Sequence, residues 1–167
     1  MNQKNELIER FGMMSHPEGG AFVETYRSSL LVPNHEANER AASTGIYFLL
    51  GRGEFSAFHR IKSDEMWHFY TGDSLRIIEI SLTGDLKETR LGINFAEGEL
   101  CQYVVPAGAW FASTPVEGGT NGFSFVGCTV APGFDFSDFE LAEEVELTQT
   151  FPQHTATIRS LVHTSRL

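Results

Sequence analysis

A chain of 167 residues can bury one sizeable core, and 41% apolar with 20% charged residues is globular material, not a disordered segment. A formal net charge of −10 leaves no broad cationic surface, so neither nucleic acid nor an anionic membrane is an expected partner. Fourteen phenylalanines suit an all-β sandwich or barrel, in which aromatic rings fill the layer between sheets.

Residues 2–12 predict a short amphipathic helix, with Leu7, Ile8 and Phe11 on one face and Gly12 as its stop. This N-terminus has no apolar signal core, and no run approaches the length of a membrane span, so a cytoplasmic location is expected. His16-Pro17-Glu18-Gly19-Gly20 is a turn-forming cluster. Residues 21–27 alternate like a half-buried strand, 33–43 are polar and loop-like and include His35, and 45–50 form a continuous apolar strand. Strand-like runs follow at 54–61, 65–70, 75–81, 87–91, 102–105, 110–113 and 122–130, separated by glycine-containing turns. Many short strands with no helices between them predict an antiparallel sandwich or barrel. After Pro132-Gly133, residues 137–149 are acidic and 152–163 predict a short helix carrying His154 and His163 toward solvent. Cys101 and Cys128 lie in apolar runs and read as buried free thiols. The reading is one domain over 1–167, with its core at about 15–140.

Strand alternation constrains the chemistry. Ala57, His59 and Ile61 share one face; Glu65, Trp67 and Phe69 share a face of the next strand, and Met66, His68 and Tyr70 share the opposite one. If Glu65 points inward beside His59, His68 points away unless a bulge shifts the register. His59 is a candidate general base, because imidazole titrates near neutrality. Glu65 is a candidate orienting carboxylate, or an acid if burial raises its pKa. Trp67, Trp110 and Phe111 offer stacking faces, with Trp110 assigned to the core, and Tyr47, Tyr70 and Tyr103 offer phenolic protons. Arg27, Arg52, Arg60 and Lys62 are the cations near this stretch that could meet a phosphate. Asp135, Asp138 and Glu140, interleaved with phenylalanines, read as the polar face of an edge strand or turn.

Written as Gly-x5-His-x-Ile-x3-Glu-x6-Gly, residues 53–72 resemble the first motif of the cupin superfamily, where the Ile61 position usually carries a second histidine. Residues 106–111 resemble the second motif, Pro-x-Gly-x2-His, with Phe111 at the final histidine position. His16-Pro17-Glu18-Gly19-Gly20, the run 63–69 and the run 131–141 together look like a small cupin family classed as a domain of unknown function. That resemblance covers roughly residues 5–145 and implies a single jelly-roll barrel (double-stranded β-helix) with a short N-terminal helix and a short C-terminal helical tail. It also implies a homodimer, a ligand-sized cavity and a fold like that of the sugar-nucleotide 3,5-epimerases. Many members of that family show histidine where this chain has Tyr70.

Three functions follow as expectations. The first is a metal-independent isomerase or epimerase of a carbohydrate-like or sugar-nucleotide metabolite. His59, Glu65 and Tyr70 would be catalytic, and Trp67, His68, Phe111, Tyr47 and Arg27 would bind ligand. The second is a non-catalytic module that binds a small metabolite. The third is a residual metalloenzyme holding zinc, iron or nickel on His59, Glu65 and His68, against which stand Ile61 and Phe111.

Overall fold

The computed structural model describes residues 3–163. Helix α1 (Gln3–Phe11) leads into strands β1 (Met14–Ser15), β2 (Ala21–Arg27), β3 (Leu31–Pro33), β4 (Glu39–Ala41), β5 (Thr44–Gly51) and β6 (Ser56–Arg60). Then come β7 (Asp64–Gly72), β8 (Leu75–Ile80), β9 (Leu86–Leu91), β10 (Gln102–Val105), β11 (Trp110–Pro115) and β12 (Phe123–Ala131). A two-residue strand β13 (Glu140–Leu141) and helices α2 (Glu144–Thr150) and α3 (Thr155–Ser160) complete the described chain. The expected helix start at Asn2 lies outside the described residues. The segment read as a loop at 33–43 holds part of a small hairpin, in which β3 pairs with β4.

The strands form an antiparallel six-stranded sheet, ordered β1-β2-β5-β12-β7-β10, and a five-stranded sheet, ordered β13-β6-β11-β8-β9. This is the jelly-roll arrangement expected from the sequence. The sheets are hydrogen-bonded separately and face each other across an apolar core that contains Phe48, Trp67, Ile77, Phe111 and Val126. Alternation puts the other half of each strand on an outer face, and each outer face has its own cover. Helix α1 lays Leu7, Ile8 and Phe11 over Leu49 and Phe125 of the six-stranded sheet. Leu147, Ile158 and Leu161 of the C-terminal segment cover Phe58, Ile78 and Ala112 of the five-stranded sheet. The helical face expected at 3–11 thus exists because a sheet is there to receive it.

Three strands carry register shifts that reset this alternation. They fall at Thr25 of β2, between Ser56 and His59 of β6, and at Tyr70 of β7. Of the thiols, Cys128 is buried as expected but Cys101 is exposed, and both are free. His154 and His163 are not simply solvated: Nε2 of each lies 2.8 Å from a backbone carbonyl, of Gly84 and Glu18 respectively. Asp138 is buried under the Arg40 guanidinium, with contacts of 2.7 and 2.8 Å. Glu140 sits on edge strand β13 and receives a 2.7 Å hydrogen bond from Arg60, so the acidic run is structural there.

Candidate functional site

One end of the space between the sheets is left open as a cavity of about 340 Å³, a size that suits a small metabolite. Strands β2, β5, β6, β7 and β12 supply its walls, and two loops, around 16–18 and 134–136, fold across it. His59 and Glu65 both face into it, and both are at least nine-tenths buried.

The partner of His59 is not Glu65. Oε2 of Glu18 lies 2.9 Å from Nε2 of His59 and 3.6 Å from Nδ1 of His16. Glu18 is a turn residue from the His16–Gly20 cluster, and its delivery depends on the glycines behind it. Gly19 has φ +115°, and a Cβ there would collide with the carbonyl oxygen of Phe55. The turn can therefore press against the start of β6 only without a side chain at that point. Glu18 O then accepts the N–H of Ala57 at 2.7 Å. In the bulge of β6, Ala57 O lies 2.8 Å from Nδ1 of His59. A carbonyl oxygen only accepts, so Nδ1 carries a proton and Nε2 is directed at the Glu18 carboxylate. His16 Nδ1 in turn accepts the N–H of Glu18 at 3.2 Å.

The charges follow from these contacts. Burial opposes the Glu18 carboxylate, but the charge and hydrogen bond of His59, with His16 and Ser56, hold its pKa below the usual value. Burial equally opposes a charged His59, but Glu18 outweighs it and raises the imidazole. Together they describe an imidazolium–carboxylate pair in the cavity floor. Burial pushes the His16 imidazole down, with Glu18 opposing. Glu65 differs: burial raises its pKa from 4.5 to about 7, against the pull of His59 and with the Glu18 charge adding to the rise. Burial, with Glu65 beside it, also drives the Cys128 thiol well above its ordinary value. The cavity thus holds a fixed ion pair and, near it, a carboxyl group that exchanges its proton at neutral pH.

Alternation and the core separate the remaining candidates. Tyr70, Tyr47 and His68 lie on the outer face of the six-stranded sheet, away from the cavity. Tyr70 is half-exposed, covers Gly127 and meets the Tyr47 ring at 5.8 Å. The Gln102 amide nitrogen lies 3.2 Å from Nδ1 of His68 as a donor, which leaves Nε2–H for Thr129 Oγ1 at 2.8 Å. Trp67 and Phe111 are about 1% exposed and belong to the core behind the site. Phe111 backs the His59 ring at a centroid distance of 4.1 Å, so it supports the imidazole and does not line the cavity. The aromatic faces that do line it are Phe22, Phe134 and Phe136. Arg27 lines the cavity at its mouth. Sequence reasoning passed over Glu18 and His16. The signal available was a carboxylate set directly before two glycines, which marks a close backbone approach.

The donor set does not fit a resident metal. Both nitrogens of His59 are engaged, by Ala57 O and by Glu18. The positions of the two missing histidines hold hydrocarbon, and His68 cannot converge with His59 and Glu65 from the other face. Among the described residues no group of three or more His, Cys, Asp or Glu side chains is arranged to hold a metal ion.

The family model for the cupin superfamily family Cupin_5 (DUF985) matches residues 5–142. The chain belongs to this Cupin_5 family. A curated relative, the uncharacterized protein YML079W of Saccharomyces cerevisiae, is 32% identical over 146 residues, covering 80% of this chain and 72% of the yeast protein. Among solved structures, a hypothetical protein from Leishmania major superposes with a TM-score of 0.92 at 36% identity, covering 98% of this chain and 100% of that one. Protein SO0799 from Shewanella oneidensis superposes at 0.89 with 40% identity, covering 99% and 100%. Bacillus subtilis oxalate decarboxylase shares 16% identity at a TM-score of 0.55, and this chain spans 36% of it, a likeness of fold alone. The Cupin_5 match ends just before α2, so the C-terminal helices and His163 lie outside it.

Proposed function

We propose that this Cupin_5 protein binds a small carbohydrate-like metabolite, a sugar or sugar nucleotide, in the cavity and isomerises or epimerises it by proton transfer without a metal. The observation that carries the reading is the Glu18–His59 ion pair beside Glu65, a carboxyl group with a pKa of about 7. In this reading Glu65, in its acid form, gives its proton to a carbonyl oxygen of the ligand. The Glu18 carboxylate, balanced by His59, takes a proton from the neighbouring carbon. The enediol so formed collapses when Glu18 returns its proton to the adjacent carbon and the Glu65 carboxylate takes the proton of the other hydroxyl, which isomerises the sugar; epimerisation results where the enediol turns its other face to Glu18 before the same carbon is reprotonated and Glu65 takes back the proton it gave. General acid–base help of this kind is worth roughly 10²–10⁴-fold in rate. The test is incubation of candidate keto-sugars in heavy water with wild type and with Glu65→Gln. Deuterium entering the sugar with wild type and not with the variant is expected; no deuterium with wild type removes the reading for those sugars.

A second reading, a non-catalytic binding module, is favoured by a different observation: both nitrogens of His59 are already engaged, by Ala57 O and by Glu18. Such a module gains thermal stability with ligand but forms no product. A thermal-shift screen of metabolites, followed by product analysis of each ligand found, separates the two.

A further inference from the structure

The mouth of the cavity is shaped by an irregularity in β2. Glu24 pairs with Ile46 and Tyr26 with Gly45, so Thr25 is an extra residue in that strand. Plain alternation would send Glu24 and Arg27 to opposite faces. The bulge cancels one step, and both side chains line the cavity. There the guanidinium is already taken. Arg27 Nε donates to Glu24 Oε1 at 3.0 Å and Nη2 donates to Oε2 at 2.7 Å. Nη1 and Nη2 also donate to the carbonyl oxygen of Phe134, at 3.2 and 3.3 Å. This two-pronged edge is the one an arginine offers to a phosphate or carboxylate ligand, and Glu24 occupies it.

Among the described residues no other lysine or arginine lines the cavity. Arg52 donates to the carbonyl of Gly119, Arg60 to Glu140 and Lys62 to Glu36, and none of the three lines the cavity. Asp135 adds a further carboxylate to the mouth, and Glu65 lies deeper. His59 is balanced by Glu18. An entering anion would therefore meet carboxylates with no free guanidinium to receive it. Uncharged hydroxyl groups suit the same lining: carboxylates accept their protons, and Phe22, Phe134 and Phe136 cover the apolar side of a small ring.

We propose that Glu24 is a specificity-determining residue that fills the Arg27 fork, closes the cavity to phosphorylated and carboxylated ligands, and leaves it to uncharged, hydroxyl-rich small molecules. The inference rests on reading the cavity as a ligand site, and it sets aside the nucleotide half of the carbohydrate proposal.

The probe is inorganic phosphate, titrated at constant ionic strength. The readout is the NMR signals of the Arg27 side chain and of the 24–27 and 134–136 backbone, in wild type, Glu24→Gln and Glu24→Gln/Arg27→Ala. Wild type is expected to show no saturable response across the millimolar range. Glu24→Gln, whose surface position leaves the fold intact by the same spectra, is expected to bind phosphate at least about tenfold more tightly. The double variant is expected to lose that gain. Saturable phosphate binding by wild type at these signals, or no gain in Glu24→Gln, overturns the proposal. The titration reads the fork whether or not a sugar is turned over. A negative heavy-water experiment therefore sinks the isomerase reading without touching this result, and the reverse also holds.

Discussion

The imidazole of His163 reaches across the molecule to the backbone carbonyl of Glu18, at 2.8 Å, from a position 145 residues later in the chain. Its ring lies flat against Phe55 at a centroid distance of 4.8 Å. The same carbonyl accepts from Ala57, whose own carbonyl holds Nδ1 of His59. The C-terminal segment therefore fastens the turn that carries Glu18, and the main chain that orients His59 is part of the same network.

His163→Ala should loosen that turn, lowering stability by about 1 kcal/mol and letting the His59 pKa fall as Glu18 drifts from it. His163→Gln, which can still donate to the carbonyl, should retain most of both. Urea unfolding together with NMR titration of His59 checks this. A stability loss with the His59 titration unmoved would reduce His163 to a packing residue.

Glu65 fixes a pH dependence whose sign can be stated. Its pKa is raised on folding from 4.5 to about 7, so above pH 4.5 the unfolded chain releases this proton more readily than the folded one. The group therefore weakens the fold progressively from about pH 4.5 to pH 7, by at most about 3 kcal/mol, and the penalty is constant above that. Glu65→Gln, which stays neutral, should gain on wild type as pH rises through this window. Unfolding free energies of the two proteins at pH 5 and pH 8 decide it; an equal difference at both values contradicts the raised pKa.

Glu18 and Tyr70 should behave oppositely. Glu18→Gln removes the charge that holds His59 protonated. It should lower the His59 pKa, reduce stability by about 3 kcal/mol at neutral pH and abolish any proton exchange into substrate. The stabilisation lost is the part present between the lowered Glu18 pKa and the raised His59 pKa: it fades in wild type as pH falls through the first or rises through the second. Tyr70→Phe touches only the outer face and should leave ligand binding and exchange unchanged. Side-by-side thermal-shift and heavy-water assays of the two variants make the comparison, and a loss of exchange in Tyr70→Phe would place the chemistry elsewhere.

Elemental analysis of protein prepared without a histidine tag should return well under one zinc, iron or nickel per chain, the same for wild type and His59→Ala. The reason is that His59 has no free nitrogen to offer a metal. A stoichiometric metal lost in His59→Ala would require the Glu18 contact to open and would restore the metalloenzyme reading.

Much of this was legible in the chain itself. The runs of short apolar segments between glycine turns located nearly every strand, because side chains alternate across a sheet whatever it packs against. The same parity set His68 and Tyr70 on the face opposite Glu65, so a catalytic role for Tyr70 was at odds with the alternation of its own strand. Residues 14–15 and the 31–41 hairpin were missed because so few residues carry no measurable period.

The sequence by itself determined the layered all-β fold and the opposite facing of Glu65 and His68, since both follow from residue type and local alternation, while its resemblance to the cupin motifs marked His59 and Glu65 as retained and Ile61 and Phe111 as replaced ligand positions. Tertiary structure alone decided which carboxylate meets His59, which aromatics face the cavity and that Glu24 stands beside Arg27. Those outcomes depend on a turn brought in from 41 residues away by sequence number and on bulges that shift a strand by one position. Neither leaves a local period in the chain, because a bulge is set by what the neighbouring strand requires and a closing turn by the surface it lands on.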